Sequence, residues 1–283
     1  MKMLPVTPDP WTQLQRFTPA RIALGRAGAS QPTAALLSFA LAHAKARDAV
    51  HEPLQVAEMA AQLDSAGMVA IMVHSRAADR ETYLRRPDLG RRLNDESRSR
   101  LLAITEGWRP IAAVSDERGD GNSDKTRNVA NADSVIHATV DLAWVIADGL
   151  SAKAAMRHAV PLIEATMPML ASLTVAPVII VEQGRVALGD EIGELLNARL
   201  IAVLIGERPG LSSPDSLGVY LTWQPRVGCT DAQRNCLSNI RPEGLAYSAA
   251  AFKLSYLIKG ANRLGLTGVA LKDESEATYL PVR

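Results

Sequence analysis

The sequence predicts an α/β protein: a mainly helical N-terminal domain over residues 1–105, then a Rossmann-like, doubly wound and mostly parallel sheet over residues 106–283. Three observations carry this. Apolar residues in the first hundred positions recur at helical spacing. Beyond residue 140, short apolar runs alternate with amphipathic stretches. Those runs are continuous, without in–out alternation, which marks strands covered on both faces and therefore usually parallel. Strand–helix–strand crossovers are right-handed, so a doubly wound sheet is the economical arrangement.

Each element follows in order. "QPTAALLSFALAHAKARDAV" places Leu36, Leu37, Ala40, Leu41 and Ala44 at helical spacing, with Pro32 beside the helix start. "VAEMAAQLDSAG" predicts a second helix stopped by Gly67. "MVAIMVHS" is a brief strand. "TYLRRPDLGRRLNDESRSRLLA" gives a basic loop around Pro87–Gly90 and then a helix. Asp116–Asn131 is polar and rich in Asp, Asn and Gly, an exposed loop. Strands are expected at "DLAWVIAD", "APVIIVEQ", "LIAVLIG" and "LGVYLTWQ". Helices are expected with Pro161 in or near the first turn of one, at "DEIGELLNA", and at "GLAYSAAAFKLSYLIKGANRL".

Composition narrows the function. A formal net charge of +1 over 283 residues and 4% aromatic residues oppose a nucleic-acid surface. Cys229 and Cys236 form neither a metal quartet nor a disulfide framework and read as two free thiols, although a short-loop disulfide is conceivable. The region Ala159–Val181 is interrupted by three prolines and Glu164, so it reads as core and not as a membrane span. With no apolar leader in Met1–Trp11, the expectation is a soluble, intracellular protein. No Gly-x-Gly-x-x-Gly or Walker loop follows a strand, and the histidines lack metal-ligand spacing.

In a wound sheet, ligands bind beyond the carboxyl ends of the strands. Three strands here end in unusual sequence: Asp148-Gly149-Leu150-Ser151, Glu182-Gln183-Gly184-Arg185-Val186, and Gly206-Glu207-Arg208-Pro209-Gly210. Gly206 and Gly210 permit close backbone approach, Pro209 keeps Arg208 extended, and Glu207 is a charged acceptor at the crevice. The same residues read equally well as loop charges, with Asp148 and Ser151 as turn and cap residues. Ser151 lacks a nucleophile elbow and a partner histidine. Arg85–Arg92, "RRPDLGRR", is either a phosphate clamp, a contact for an acidic partner or a solvated basic turn. Cys236 reads as a small buried hydrophobe.

Together the segments "GRAG", "RPDLGRRL", "DGLSA", "GERPGL" and "CLSNIRPEG", in that order, resemble the small (light) subunit of ethanolamine ammonia-lyase. The likeness runs from about Arg16 to Asn262, while Asp116–Asn131 looks like an insertion without a family counterpart. The resemblance implies an adenosylcobalamin-dependent ammonia-lyase acting on ethanolamine, giving acetaldehyde and ammonia. It implies a large TIM-barrel subunit that holds ethanolamine, and a small subunit that helps seat the cobalamin at the interface. Val186, Glu207 and Cys236 match the family's cobalamin-contacting positions. No catalytic residue and no metal ligand is expected on this chain. No histidine here sits in an Asp-x-His-x-x-Gly motif, so base-on cofactor binding is expected. The location implied is the cytoplasm, or a bacterial microcompartment within it. A Rossmann-like cobalamin- or nucleotide-binding carrier or scaffold without lyase activity is the alternative. An independent enzyme using Asp148 and Ser151 is a third.

Overall fold

The computed structural model describes residues 6–18, 20–107 and 140–276; the expected Asp116–Asn131 loop lies outside the described residues. After a short 3-10 helix at Pro10–Phe17 come α1 (Thr33–His51), α2 (Val56–Ser65), β1 (Ala70–His74), α3 (Arg80–Arg85) and α4 (Asp95–Gly107). Then follow β2 (Val140–Ala147), α5 (Ala152–Thr166), β3 (Val178–Glu182), α6 (Leu188–Leu195), β4 (Ala198–Gly206), β5 (Leu217–Trp223), β6 (Arg234–Ile240) and α7 (Tyr247–Leu264).

The strands form one six-stranded sheet in the order β1-β3-β2-β4-β5-β6. β1, β3, β2 and β4 pair in parallel, whereas β5 runs antiparallel to both β4 and β6. The sheet is therefore mixed: the expected parallel pairing holds for β1, β3, β2 and β4, while the antiparallel β5 and β6 depart from the expected Rossmann-like, doubly wound, mostly parallel sheet. Connection length is the physical reason. A parallel return needs a crossover of about a dozen residues or more, usually a helix. No helix intervenes between Gly206 and Leu217, so the chain can only turn back beside β4.

The central strands bury both faces. On β4, Leu200, Ala202 and Leu204 join a cluster with α2, α5 and α7, while Ile201, Val203 and Ile205 join a second cluster with α4 and α6. β2 and β3 divide in the same alternating way, which is why these runs are continuously apolar apart from Asp141, Glu182 and Arg199 near the strand ends. β1, drawn from the helical N-terminal stretch, is an edge strand of this same sheet.

Three local details differ from expectation. α5 begins at Ala152, where the Ser151 side chain caps it by accepting the Ala154 N–H, so Pro161 lies inside the helix and not in its first turn. β6 was hidden in "RNCLSNI", whose apolar content is too low to announce a strand. α1 forms where the spacing places it, yet Ala49 is its one buried residue; Leu36, Leu37 and Leu41 are exposed. Among the described residues no helix is long and apolar enough to cross a membrane.

Candidate functional site

The carboxyl ends of β2, β3 and β4 converge as the strand-end pattern requires. The Asp148 carboxylate, just past β2, accepts the Gln183 and Gly184 N–H groups past β3, at 3.0 and 2.9 Å. Leu150 N–H donates to the Gly206 carbonyl at 2.9 Å. These contacts consume the groups that make them. Asp148 is buried and also accepts from Arg80 at 3.3 Å. Burial pushes its carboxyl up to about 6, against the Arg80 charge and the backbone donors that favour ionisation. The buried Ser151 hydroxyl donates to the Pro214 carbonyl. Both residues serve the fold as staple and cap. Gly206 does so too, since a side chain there would collide with the Ser151 carbonyl; close approach is needed by the protein itself.

Glu207 and Val186 are different, for both remain open to the surface. Glu207 is half-buried at the end of β4, where its backbone N–H still follows the ladder to the Ser216 carbonyl. Strand parity turns its side chain to the same face as Gly218, whose missing Cβ leaves room for it: a methyl there would lie 3.1 Å from Glu207 Oε1. Glu207 Oε2 accepts the Asn239 N–H at 3.1 Å, at the irregular pairing between β5 and β6. One carboxylate oxygen is thus spent on shaping β6. The other, Oε1, lies over Gly218 and takes no hydrogen-bond donor among the described residues.

The face on which this happens is open around Tyr220 and Cys236. β5 sends Leu217, Val219 and Leu221 into the cluster beneath α5 and α7, so Tyr220 points the opposite way. β6 does the same with Leu237 and Ile240 buried and Cys236, paired directly with Tyr220, exposed. The α4–α6 core on this side reaches Tyr220 and takes no apolar residue from β6, whose Arg234 is instead buried on this face against Asp190 of α6. Cys236 is therefore not a buried hydrophobe, which corrects that expectation; the two-residue period of β6 decides it. Cys229 and Cys236 are both free thiols.

Tyr220 links the parts. With Val186 it lines a cavity of about 440 Å³ at the start of α6, and the Glu207 charge reaches both Tyr220 and Cys236. Partial burial, then Cys236 and Glu207, push the Tyr220 hydroxyl up to about 12, so it stays a neutral donor. Although Cys236 is exposed as a residue, partial desolvation of its sulfur and the Glu207 charge hold its thiol above the ordinary range. The structure so arranges Val186, Tyr220, Cys236 and Glu207 around one uncovered patch. Tyr220 and Gly218 were missed by sequence reasoning. The signal was available in the alternation of "LGVYLTW" once β5 is taken as covered on one face only.

This patch can hold a broad, mostly apolar ligand carrying amide donors. It offers an aromatic ring, an aliphatic side chain and a thiol, with a carboxylate acceptor at one end.

The description "Ethanolamine ammonia-lyase light chain" matches residues 8–123 and 116–272. The ethanolamine ammonia-lyase small subunit of Azotobacter vinelandii is 53% identical over 278 residues, covering 98% of this chain and 93% of its own. That of Xanthomonas campestris pv. campestris is 52% identical, with 98% and 93% covered. That of Pseudomonas syringae pv. tomato is 50% identical, with 96% and 86% covered. The likeness spans the strand ends and the open β5–β6 face alike, and by it the chain belongs to the ethanolamine ammonia-lyase light-chain family.

Proposed function

We propose that this chain is the small subunit of ethanolamine ammonia-lyase and that its open β5–β6 face is one half of a seat for adenosylcobalamin, completed by the large subunit. The observation that carries the proposal is the unpaired oxygen of half-buried Glu207 on the same sheet face as half-buried Tyr220 and exposed Cys236, with Val186 and Tyr220 lining one cavity. The residues fit the group. A corrin is a wide apolar disc edged with primary amides; Val186 and Tyr220 suit the disc, and Glu207 suits an amide N–H through a charge-assisted bond. Cys236 gives a compact, polarisable contact and, with its raised thiol, adds no charge.

Bound adenosylcobalamin supplies the radical chemistry by which ethanolamine becomes acetaldehyde and ammonia. The chain's own part is placement. Glu207 is anchored through the Asn239 N–H, so its free oxygen holds a fixed direction. Tyr220 and Val186 exclude water from the covered side. Substrate contacts and catalytic groups belong to the large subunit, a TIM barrel. Binding is base-on, because this chain carries no Asp-x-His-x-x-Gly histidine to replace the cofactor's own base. Leu36, Leu37, Phe39 and Leu41, exposed along α1, form an apolar surface suited to the large subunit. The Arg21 guanidinium donates to the Leu211 carbonyl at 3.4 Å, which joins the segment before α1 to the loop that begins at Glu207.

The test is cobalamin affinity in the reconstituted two-subunit complex. Glu207→Ala should weaken binding by about 10- to 100-fold, the loss of one hydrogen bond to a charged group, while the free chain keeps its stability. Unchanged affinity would remove Glu207 from the site. A carrier acting alone would instead bind cobalamin tightly without the large subunit.

A further inference from the structure

The arginines of "RRPDLGRR" are unequal. Arg85 pairs with Glu81, Arg86 with Asp88, and Arg92 with Glu191. Arg91 is exposed and has no carboxylate partner among the described residues. The loop that carries it folds onto the turn after β3: Arg185 N–H donates to the Gly90 carbonyl at 2.8 Å, and the Tyr83 hydroxyl donates to the Gly184 carbonyl at 3.1 Å. Gly90 is required for this docking, since a Cβ there would lie 2.9 Å from Arg185 Cγ and 3.1 Å from the Gln183 carbonyl oxygen.

The docking puts Arg91 and Arg185 on the same cavity, the one that Val186 and Tyr220 share with the candidate cofactor patch. Arg185 also lacks a carboxylate partner. Its guanidinium stacks on the Tyr83 ring at 4.3 Å and gives one N–H to the Tyr83 carbonyl at 3.1 Å, while its Nε is buried without an acceptor. Arg234, the third arginine of the cavity, is neutralised by Asp190 through two bonds of 2.6 Å. Asp231 is the one carboxylate lining the cavity, and it lies 3.5 Å from Arg234 Nε. Two arginines without a carboxylate partner, one with its guanidinium stacked on Tyr83, thus line a cavity with a surplus of positive charge. Planar N–H forks of this kind match the oxygens of a phosphate.

We propose that Arg91 and Arg185 bind the phosphodiester of the cofactor's nucleotide tail, with the corrin lying across Val186 and Tyr220 towards Glu207. The proposal rests on the cobalamin reading above and adds an orientation to it: phosphate at the α6 end of the patch, a ring amide at the β4 end.

Cobinamide, which keeps the corrin and its amides but lacks the phosphate, ribose and base, separates the two halves. Affinities of cyanocobalamin and dicyanocobinamide are measured by equilibrium dialysis on the reconstituted complex. Arg91→Ala should weaken cyanocobalamin about three- to tenfold, an exposed charge being partly screened, and leave dicyanocobinamide unchanged. Arg91→Lys should recover part of the loss. Equal losses for both corrinoids, or none for either, would overturn the proposal; the latter is also what a cavity for free phosphate gives. Glu207→Ala serves as the separate control. It should weaken both corrinoids alike, and if it affects neither, the fault lies with the cobalamin reading itself.

Discussion

At the scale of single residues, burial decides which polar groups are available for chemistry. Asp148 and Glu207 both stand at strand ends, yet Asp148 is enclosed by Arg80 and two backbone donors while Glu207 keeps one oxygen free. A testable consequence concerns pH. The folded-state carboxyl of Asp148 titrates near 6, above its value of 3.8 in an open chain. Its contribution to stability is therefore full below about pH 4 and lost as pH rises through about 6, since ionisation is costlier in the folded state. Compared with Asp148→Asn across that window, the wild-type chain should lose on the order of 3 kcal/mol, read as the difference in slope of urea-derived stability against pH. Parallel curves would contradict this. The slope is the informative quantity, because the substitution itself disturbs the Gln183 and Gly184 contacts and shifts the offset.

At the scale of elements, the mixed end of the sheet creates the site. β5 and β6 are covered on one face by α5 and α7, and their other face is left open around Tyr220 and Cys236 while α6 covers its Thr222–Arg234 end. β6 is held there by the Arg234–Asp190 pair, buried and bidentate, which ties it to the first turn of α6. Asp190→Ala would leave the Arg234 guanidinium buried without its partner, a loss of about 3–5 kcal/mol in thermal or urea unfolding. A cost under about 1 kcal/mol would show that water already solvates the pair. The sequence revealed much of this level. β2, β3 and β4 were legible because both their faces are buried, and α7 because one of its faces is. β6 was not, since half of "RNCLSNI" faces solvent and the other half is short. The direction of β5 was missed for another reason: strand direction is set by connection length, and Gly206–Gly210 was read as a ligand loop without asking what return the ten residues Glu207–Ser216 allow. Of the candidate patch, Val186, Glu207 and Cys236 were named through the resemblance, the first two also at strand ends that drew attention. Cys236 was located but assigned to the wrong side, and Tyr220 was absorbed into an apolar run.

At the scale of the whole molecule, the surface looks unfinished. α1 is a helix of nineteen residues with one residue buried, and Leu37 on it is 63% exposed. Spacing alone could not foresee this, because an amphipathic pattern states that a face is covered, not by which chain. If the large subunit covers it, Leu37→Glu should leave the unfolding midpoint of the free chain within a degree or two and weaken subunit association at least tenfold in sedimentation or gel filtration. Association as strong as wild type would place the interface elsewhere. The Arg21–Leu211 contact connects this surface with the Glu207 loop, so the proposed cofactor seat and the proposed subunit interface would adjoin.

The most direct measurement is a structure of the two-subunit complex with cobalamin bound. The prediction is a corrin within about 4 Å of Val186, Tyr220, Cys236 and Glu207 on this chain, with the large subunit on its opposite side. A corrin enclosed wholly by the large subunit, or meeting this chain on the α5–α7 face of the sheet, would contradict the account.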